Sequence, residues 1–176
     1  MENMKIYVET SCLRSNIRHP DPKSQKELAA LEQLAERYSL FGSRLDLREV
    51  EATVKKDQRD SLILDYKALE PIPKDEKFLG SNSVSDQYGG SISNPLVADC
   101  QDETLSRELL EHGLEPKDAE HLTQAVCNDC GVFLTRDEAT IINPHRQWLE
   151  QRFPNLKIRL PSELLNELAS APLSGR

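Results

Sequence analysis

Four carboxylates stand where a fold of alternating strands and helices would bring them together. Glu9 directly follows the apolar run Ile6–Val8, and Asp137 comes just after a second apolar run. Glu49 and Asp118 fall in the first turns of two predicted helices. Open parallel sheets bind ligands beyond the carboxyl ends of their strands, so we expect these acids to meet there. Carboxylates that close cannot all stay ionised alone. We therefore predict a site for Mg²⁺ or Mn²⁺, which take oxygen ligands.

Three of the four acids also have structural explanations. Asp46 with Glu49 fits a capping box, in which two polar side chains satisfy the first backbone amides of a helix. Asp118 in a first turn favours the helix dipole, and Asp137 fits an N-cap. Glu9 has no such explanation, because a buried strand that stops on an acid and two hydroxyls is unusual.

The elements that must position these acids follow from the apolar periodicity. Short apolar runs alternate with amphipathic segments, a pattern that predicts an α/β fold with a central parallel sheet. Ser24 with Glu27 predicts a helix start by a capping box, and Asn143 predicts another N-cap. The predicted strands are 5–8, 39–43, 132–135 and 156–160, and the predicted helices are 24–38, 46–58, 60–69, 103–113, 115–131, 136–142, 143–153 and 161–168.

Length and composition limit the class of protein. The 176 residues suit a single domain, 1–176, in which the Pro-, Gly- and Ser-rich stretch 70–102 is a flexible insertion. The net charge of −8 argues against bulk nucleic-acid binding, although a local basic patch stays open. No apolar run reaches the length of a membrane span and no signal-peptide layout is present, so we expect a cytoplasmic protein without a membrane partner.

Two other motifs in the sequence carry weaker signals. Cys127 and Cys130 form a CxxC, but a zinc site would need two further ligands at matching spacing, and a redox pair would sit at a helix start. His121 lies one helical turn after Asp118 and either reaches a phosphate or metal edge or is an ordinary half-buried imidazole. No P-loop, dinucleotide-binding turn or nucleophile elbow occurs.

Taken in order, these segments resemble the PIN domain, most closely the VapC-like ribonuclease toxins of prokaryotic toxin–antitoxin pairs. "IYVETSCL" resembles the family's opening strand and its first acid. "SRLDLREVE" resembles the segment in which Ser43 precedes the second acid, Glu49, by six residues. "DAEHLTQAVCNDCGVFLTRDE" resembles the helix, turn and strand that carry the third and fourth acids, here Asp118 and Asp137. "IRLPSELLNEL" resembles the closing strand and helix, whereas 70–102 has no counterpart in compact members.

The resemblance implies a Rossmann-like α/β/α sandwich and a metal-dependent endoribonuclease. Glu9, Glu49, Asp118 and Asp137 would hold one or two Mg²⁺ or Mn²⁺ ions for hydrolysis of RNA phosphodiester bonds. It also implies an antitoxin protein as partner and a homodimer. The hydroxyls of Thr10, Ser11 and Thr135 would support the ligands by hydrogen bonding.

The first acid departs from the family pattern, because the family has Asp where this chain has Glu9. The longer side chain leaves an alternative open, namely a weakened or inactive PIN-like binding module. Basic residues near the acids either form a phosphate-binding rim or are solvated surface; they are Arg14, Arg44, Arg48 and Arg136.

Overall fold

A central sheet of five parallel strands organises the chain. The computed structural model describes residues 4–17, 21–71 and 102–170. The strand order is β3-β2-β1-β4-β5, and every neighbouring pair is parallel. Ile6 of β1 pairs with Leu40 of β2 on one side and with Val132 of β4 on the other. The strands are β1 (Ile6–Val8), β2 (Leu40–Gly42), β3 (Glu70–Pro71), β4 (Val132–Leu134) and β5 (Lys157–Arg159).

Helices cover both faces of this sheet, as the alternation along β1 requires. Tyr7 joins a core with helices of one face, whereas Ile6 and Val8 join a second core on the opposite face. This three-layer arrangement confirms the predicted α/β/α sandwich with a parallel sheet. The helices are α1 (Arg14–Ile17), α2 (Pro22–Arg37), α3 (Arg44–Glu51), α4 (Lys56–Lys67), α5 (Glu103–Glu111), α6 (Pro116–Cys127), α7 (Asn143–Arg152) and α8 (Pro161–Ser170), with a 3₁₀ turn at Thr10–Cys12 and a π-helical turn at Glu138–Ile142.

The direction of winding reverses between β1 and β4. From β1 the chain proceeds outward to β2 and β3, and from β4 it proceeds the other way to β5. The amide of Glu9 donates to the carbonyl oxygen of Leu134 at 3.0 Å, so the ends of β1 and β4 remain adjacent where the strands stop. The carboxyl ends at such a reversal form the crevice in which open α/β sheets bind ligands.

The predicted start of α2 was wrong. Its N-cap is Asp21, whose side chain accepts from the amide of Ser24 at 2.9 Å. Glu27 instead accepts from both the amide and the hydroxyl of Ser162, at 2.9 and 2.7 Å. Glu27 therefore caps α8, which packs on α2. The two residues are 135 positions apart, so the spacing of residues within one helix cannot predict this contact.

Two further helix boundaries differ from the prediction. The helix expected to run from Asp46 to Gln58 is two helices, α3 and α4, with Ser43 as the N-cap of the first. Asn143 is not an N-cap, because α7 continues directly from the π-helical turn and begins at that residue. Periodicity predicts that a helix exists more reliably than where it ends.

The predicted irregular segment 70–102 begins and ends in ordered structure. Its first two residues form β3, which the sequence did not predict, and Asp102 caps α5 by accepting from the amide of Leu105 at 2.9 Å. The rest of the segment, 72–101, lies outside the described residues, so the single domain 1–176 with an insertion stays a prediction.

In the described parts of the chain, no helix is both long and apolar enough to cross a bilayer.

Candidate functional site

Glu9 closes β1 and caps the turn that follows it. Its carboxylate accepts from the amide of Ser11 at 2.9 Å, from the hydroxyl of Ser11, and from Oγ1 of Thr135 at 3.1 Å. Only 9% of the residue is exposed. Burial raises the pKa of Glu9, and the hydrogen bonds from Ser11 oppose that rise. The acid at the end of the strand is thus buried, held by hydroxyls of two strand ends, and costly to ionise without a nearby cation.

A second buried carboxylate, Asp46, comes from the start of α3. It forms a capping box with Ser43, whose amide donates to Oδ2 of Asp46 at 2.7 Å. The predicted pairing of Asp46 with Glu49 was therefore wrong. Asp46 also accepts from Oγ1 of Thr10 at 3.1 Å and is fully buried. Burial raises its pKa, whereas the nearby charge of His121 lowers it.

The hydroxyl of Tyr7 joins three elements at the centre of the site. Oη lies 2.8 Å from Oγ of Ser43, 3.1 Å from Oδ2 of Asp46 and 2.6 Å from Nδ1 of His121. The ring stacks on Phe133 of β4 with centroids 5.4 Å apart. Tyr7 therefore fixes the positions of the start of α3 and the middle of α6 relative to the sheet.

His121 lies between the carboxylates with 2% of its surface exposed. Nε2 is 3.4 Å from Oε2 of Glu49, and Nδ1 is 3.7 Å from Oδ1 of Asp46. Burial lowers the pKa of His121, but the hydrogen bond with Glu49 and the charges of Asp46 and Glu9 outweigh it and raise the pKa to about 9. The same hydrogen bond lowers the pKa of Glu49 to about 2. In the metal-free protein an imidazolium thus balances the buried carboxylates.

Glu9, Glu49 and His121 converge closely enough to share one ion. Each offers a ligand atom, and these atoms all lie within 4.8 Å of one another. Ligands bound to one divalent cation at roughly 2.0–2.3 Å lie no more than about 4.6 Å apart, so only a small adjustment is needed. The donor set of two carboxylates and one imidazole fits a divalent metal ion.

Asp118 and Asp137 form a second, neighbouring acidic pair. Thr140 links them: its hydroxyl donates to Oδ2 of Asp118 at 3.0 Å and its amide donates to Oδ1 of Asp137 at 2.8 Å. Burial raises the pKa of Asp118, its hydrogen bond with Thr140 lowers it, and the charge of Asp137 raises it further. Among the described residues, neither acid belongs to the close group around His121. The four predicted acids are therefore divided between two adjacent clusters.

The comparisons with known proteins bear on the fold. No family model matches the chain, and no curated protein matches it. A solved structure does match: the crystal structure of VapBC2 from Rickettsia felis bound to a DNA fragment from their promoter. The TM-score is 0.52 at 21% identity, over 89% of this chain and 98% of that one. The fold is PIN-like. A structural likeness at this identity establishes the fold. The chemistry of the site has to be inferred from the residues of this chain.

The basic residues that lie close to the acids along the chain differ in their contacts. The guanidinium of Arg136 donates to the carbonyl oxygen of Asn16 at 3.3 Å and to Oγ of Ser24 at 3.0 Å, so it ties the end of β4 to α1 and α2. Nζ of Lys117 lies 3.4 Å from Oε1 of Glu49 and is well exposed. Side chains at the surface comprise the exposed Arg14 and Arg48 and the half-buried Arg44.

Sequence reasoning gave too little weight to three residues of this site: Tyr7, Asp46 and His121. Spacing offered a signal for two of them, since Asp46 precedes Glu49 by three residues and His121 follows Asp118 by three, which places each pair on one helical face. Tyr7 gave no such signal, because a tyrosine within a buried strand is usual in a core.

Proposed function

We propose that this chain is a metal-dependent endonuclease that hydrolyses RNA phosphodiester bonds. One observation carries the proposal: Glu9, Glu49 and His121 converge at the strand-end crevice of a PIN-like fold, beside the pair Asp118 and Asp137. A crevice of this kind concentrates negative charge that a divalent cation would neutralise. The resemblance of the sequence to VapC-like ribonucleases supports RNA as the substrate.

We assign two roles to the residues of the crevice: some would bind the metal ion, and others would contact the RNA. Glu9, Glu49, Asp118 and Asp137 would hold Mg²⁺ or Mn²⁺, which when bound lowers the pKa of water and neutralises charge on phosphate. Ser11 and Thr135 fix the carboxylate of Glu9, and Thr140 fixes Asp118. Basic side chains that lie close to the acids along the chain would orient the RNA backbone; they are Arg14, Arg44, Arg48 and Lys117.

Cleavage of a mixed single-stranded and structured RNA pool tests the proposal. Wild-type protein is compared with Asp118→Asn, which keeps an oxygen that can accept from Thr140, and with Asp60→Asn on the exposed side of α4 as the matched control. Wild type and Asp60→Asn should cut RNA in Mn²⁺ or Mg²⁺ and stop in EDTA. Asp118→Asn should lose at least about 100-fold in rate. Unchanged cleavage by Asp118→Asn contradicts the assignment.

We further propose a toxin role, with an antitoxin protein as partner and a homodimer as the assembly. Support comes from the resemblance to VapC-like toxins and from the likeness of the fold to a chain of the VapBC2 structure. Induced expression should arrest bacterial growth, and Asp118→Asn should not. Coexpression with the product of an adjacent gene should relieve the arrest and yield a stable complex.

One observation favours a second candidate, a PIN-like binding module without activity. The carboxylate of Glu9 is already engaged by Ser11 and Thr135 where the family has the shorter Asp. If neither wild type nor Glu9→Asp cleaves RNA, and if millimolar Mn²⁺ does not bind, the module becomes the better description. If only Glu9→Asp cleaves RNA, Glu9 has weakened an otherwise intact nuclease site.

A further inference from the structure

We propose that Nε2 of His121 is a metal ligand together with Glu9 and Glu49, and that this nitrogen makes the site select Mn²⁺ and other transition-metal ions over Mg²⁺. The inference deepens the proposed function and rests on its metal site. It concerns a side chain outside the four carboxylates that the resemblance implies.

The position of His121 makes it a ligand and not a bystander. It is the most buried of the three converging residues, and its Nε2 faces Glu49 at 3.4 Å. A ligand atom of Glu9 completes the group within 4.8 Å. An ion placed among these oxygens would lie against the imidazole edge, since Nε2 is within 3.4 Å of Oε2 of Glu49 and His121 is the more buried of the two residues. A metal ion that binds both glutamates therefore meets the lone pair of Nε2.

The contacts of Nδ1 hold the imidazole of His121 in an orientation that directs Nε2 toward the two glutamates. Nδ1 of His121 lies 2.6 Å from Oη of Tyr7, and that hydroxyl donates to Oδ2 of Asp46 at 3.1 Å, so Oη is free to accept a hydrogen bond from Nδ1. With the proton on Nδ1, the lone pair of the neutral ring is on Nε2. Metal-binding histidines commonly donate their second N–H to an acceptor that is itself tied to a carboxylate. Tyr7 and Asp46 are thus positioning residues for His121.

The donor set determines the choice of metal ion. Mg²⁺ prefers oxygen ligands and strict octahedral geometry, and it gives up water reluctantly. Imidazole nitrogen binds first-row transition ions more strongly, in the order from Mn²⁺ upward to Cu²⁺. The carboxylates of Glu9 and Glu49 attract any divalent ion, but the nitrogen of His121 increases the affinity only for the softer ions.

Mn²⁺ is the probe, because directly bound nitrogen gives a ¹⁴N coupling in pulsed electron paramagnetic resonance. We compare wild type, His121→Asn and His112→Asn, the last a matched control at an exposed histidine stacked on Trp148. Wild type and His112→Asn should show the ¹⁴N coupling, and His121→Asn should lack it. Calorimetry should show Mn²⁺ affinity reduced about 10- to 100-fold by His121→Asn, with Mg²⁺ affinity changed less than about threefold.

The outcomes separate this inference from the nuclease proposal. If wild type binds Mn²⁺ without ¹⁴N coupling, or if the coupling persists in His121→Asn, His121 is not a ligand and the nuclease proposal stands. The first of these results needs no variant, so poor folding of His121→Asn cannot obscure it. If wild type binds no Mn²⁺, both proposals fail. If the coupling is present but RNA is not cut, the ligand assignment stands alone.

Discussion

Oη of Tyr7 lies 2.6 Å from Nδ1 of His121, and both side chains are buried. This hydrogen bond joins the first strand to a helix that follows it by more than a hundred residues. Because Oη also lies 3.1 Å from Asp46, one hydroxyl holds a cationic ring and a buried carboxylate in place. Buried polar networks of this kind are costly to disrupt, since each orphaned member loses its partner without regaining water.

Tyr7→Phe should therefore weaken the site while preserving the fold. The phenyl ring keeps its stacking on Phe133, but His121 and Asp46 lose a buried hydrogen-bond partner. We expect a loss of about 1–3 kcal/mol in the free energy of unfolding and a Mn²⁺ affinity lowered by about tenfold. Urea denaturation and calorimetry measure these, with Tyr38→Phe at a half-buried position as control. Wild-type Mn²⁺ affinity in Tyr7→Phe would rule out the positioning role.

The stability of the metal-free protein should fall on the alkaline side. The pKa of His121 is about 9 in the folded protein against an ordinary value of 6.5. Because the folded value is higher, the stabilisation is fully present below pH 6.5 and is lost as the pH rises through 9. At about 1.4 kcal/mol per pKa unit, the contribution is on the order of 3 kcal/mol. Urea midpoints from pH 6 to 9.5 should decline for wild type and stay flatter for His121→Asn. Equal slopes would contradict the shift.

Asp46→Asn should lower the pKa of His121. Burial lowers that pKa, and the charge of Asp46 is one of the attractions that raise it above its ordinary value. The asparagine keeps an oxygen for the amide of Ser43, so the start of α3 should survive. Titration of the His121 ring by NMR should show a fall of about one unit, while Asp60→Asn leaves it unchanged. An unshifted titration in Asp46→Asn would show that the pair does not interact.

Glu9→Gln should separate stability from metal binding. Burial raises the pKa of Glu9, so its charge is unfavourable in the metal-free protein, and the neutral amide has the same shape. We expect unchanged or slightly raised thermal stability without metal, and loss of the stabilisation that Mn²⁺ gives to wild type. Thermal melts with and without Mn²⁺ decide this. A metal-free protein clearly destabilised by Glu9→Gln would show that the charge itself maintains the turn.

Glu27→Ala should affect stability and leave the site intact. Glu27 is buried and accepts both hydrogen bonds of Ser162 at the start of α8. Its removal leaves these donors unsatisfied at the α2–α8 interface and should lower the free energy of unfolding by about 2–3 kcal/mol. Mn²⁺ affinity measured on the folded fraction should equal that of wild type. A change in affinity would reveal coupling between this interface and the crevice.

Much of the fold was predictable from local pattern. Apolar runs such as Ile6–Val8 and Val132–Leu134 predict buried parallel strands, because both of their faces must be covered. The alternation of these runs with helices predicts the three-layer sandwich. The edge strand Glu70–Pro71 was not predicted, because two residues are too few to show the alternating apolar pattern of a strand. The cap of α2 was misassigned because Asp21 and Ser24 near the helix start compete for one role, and that of α7 because the preceding turn is already helical.

The sequence by itself determined which residue types stand at the strand ends: Glu9 after β1, Thr135 after β4 and Ser43 after β2, with further acids in the helices that follow. Only the tertiary structure decided which of them meet. It groups Glu9 and Glu49 with His121, pairs Asp118 with Asp137, and buries Asp46 beneath them. The physical reason is that the spacing of residues along a helix determines which side chains share one face of that helix. Which residues of other elements that face contacts depends on how the helix packs against the sheet. The burial of His121 among three carboxylates is therefore a property of the assembled layers.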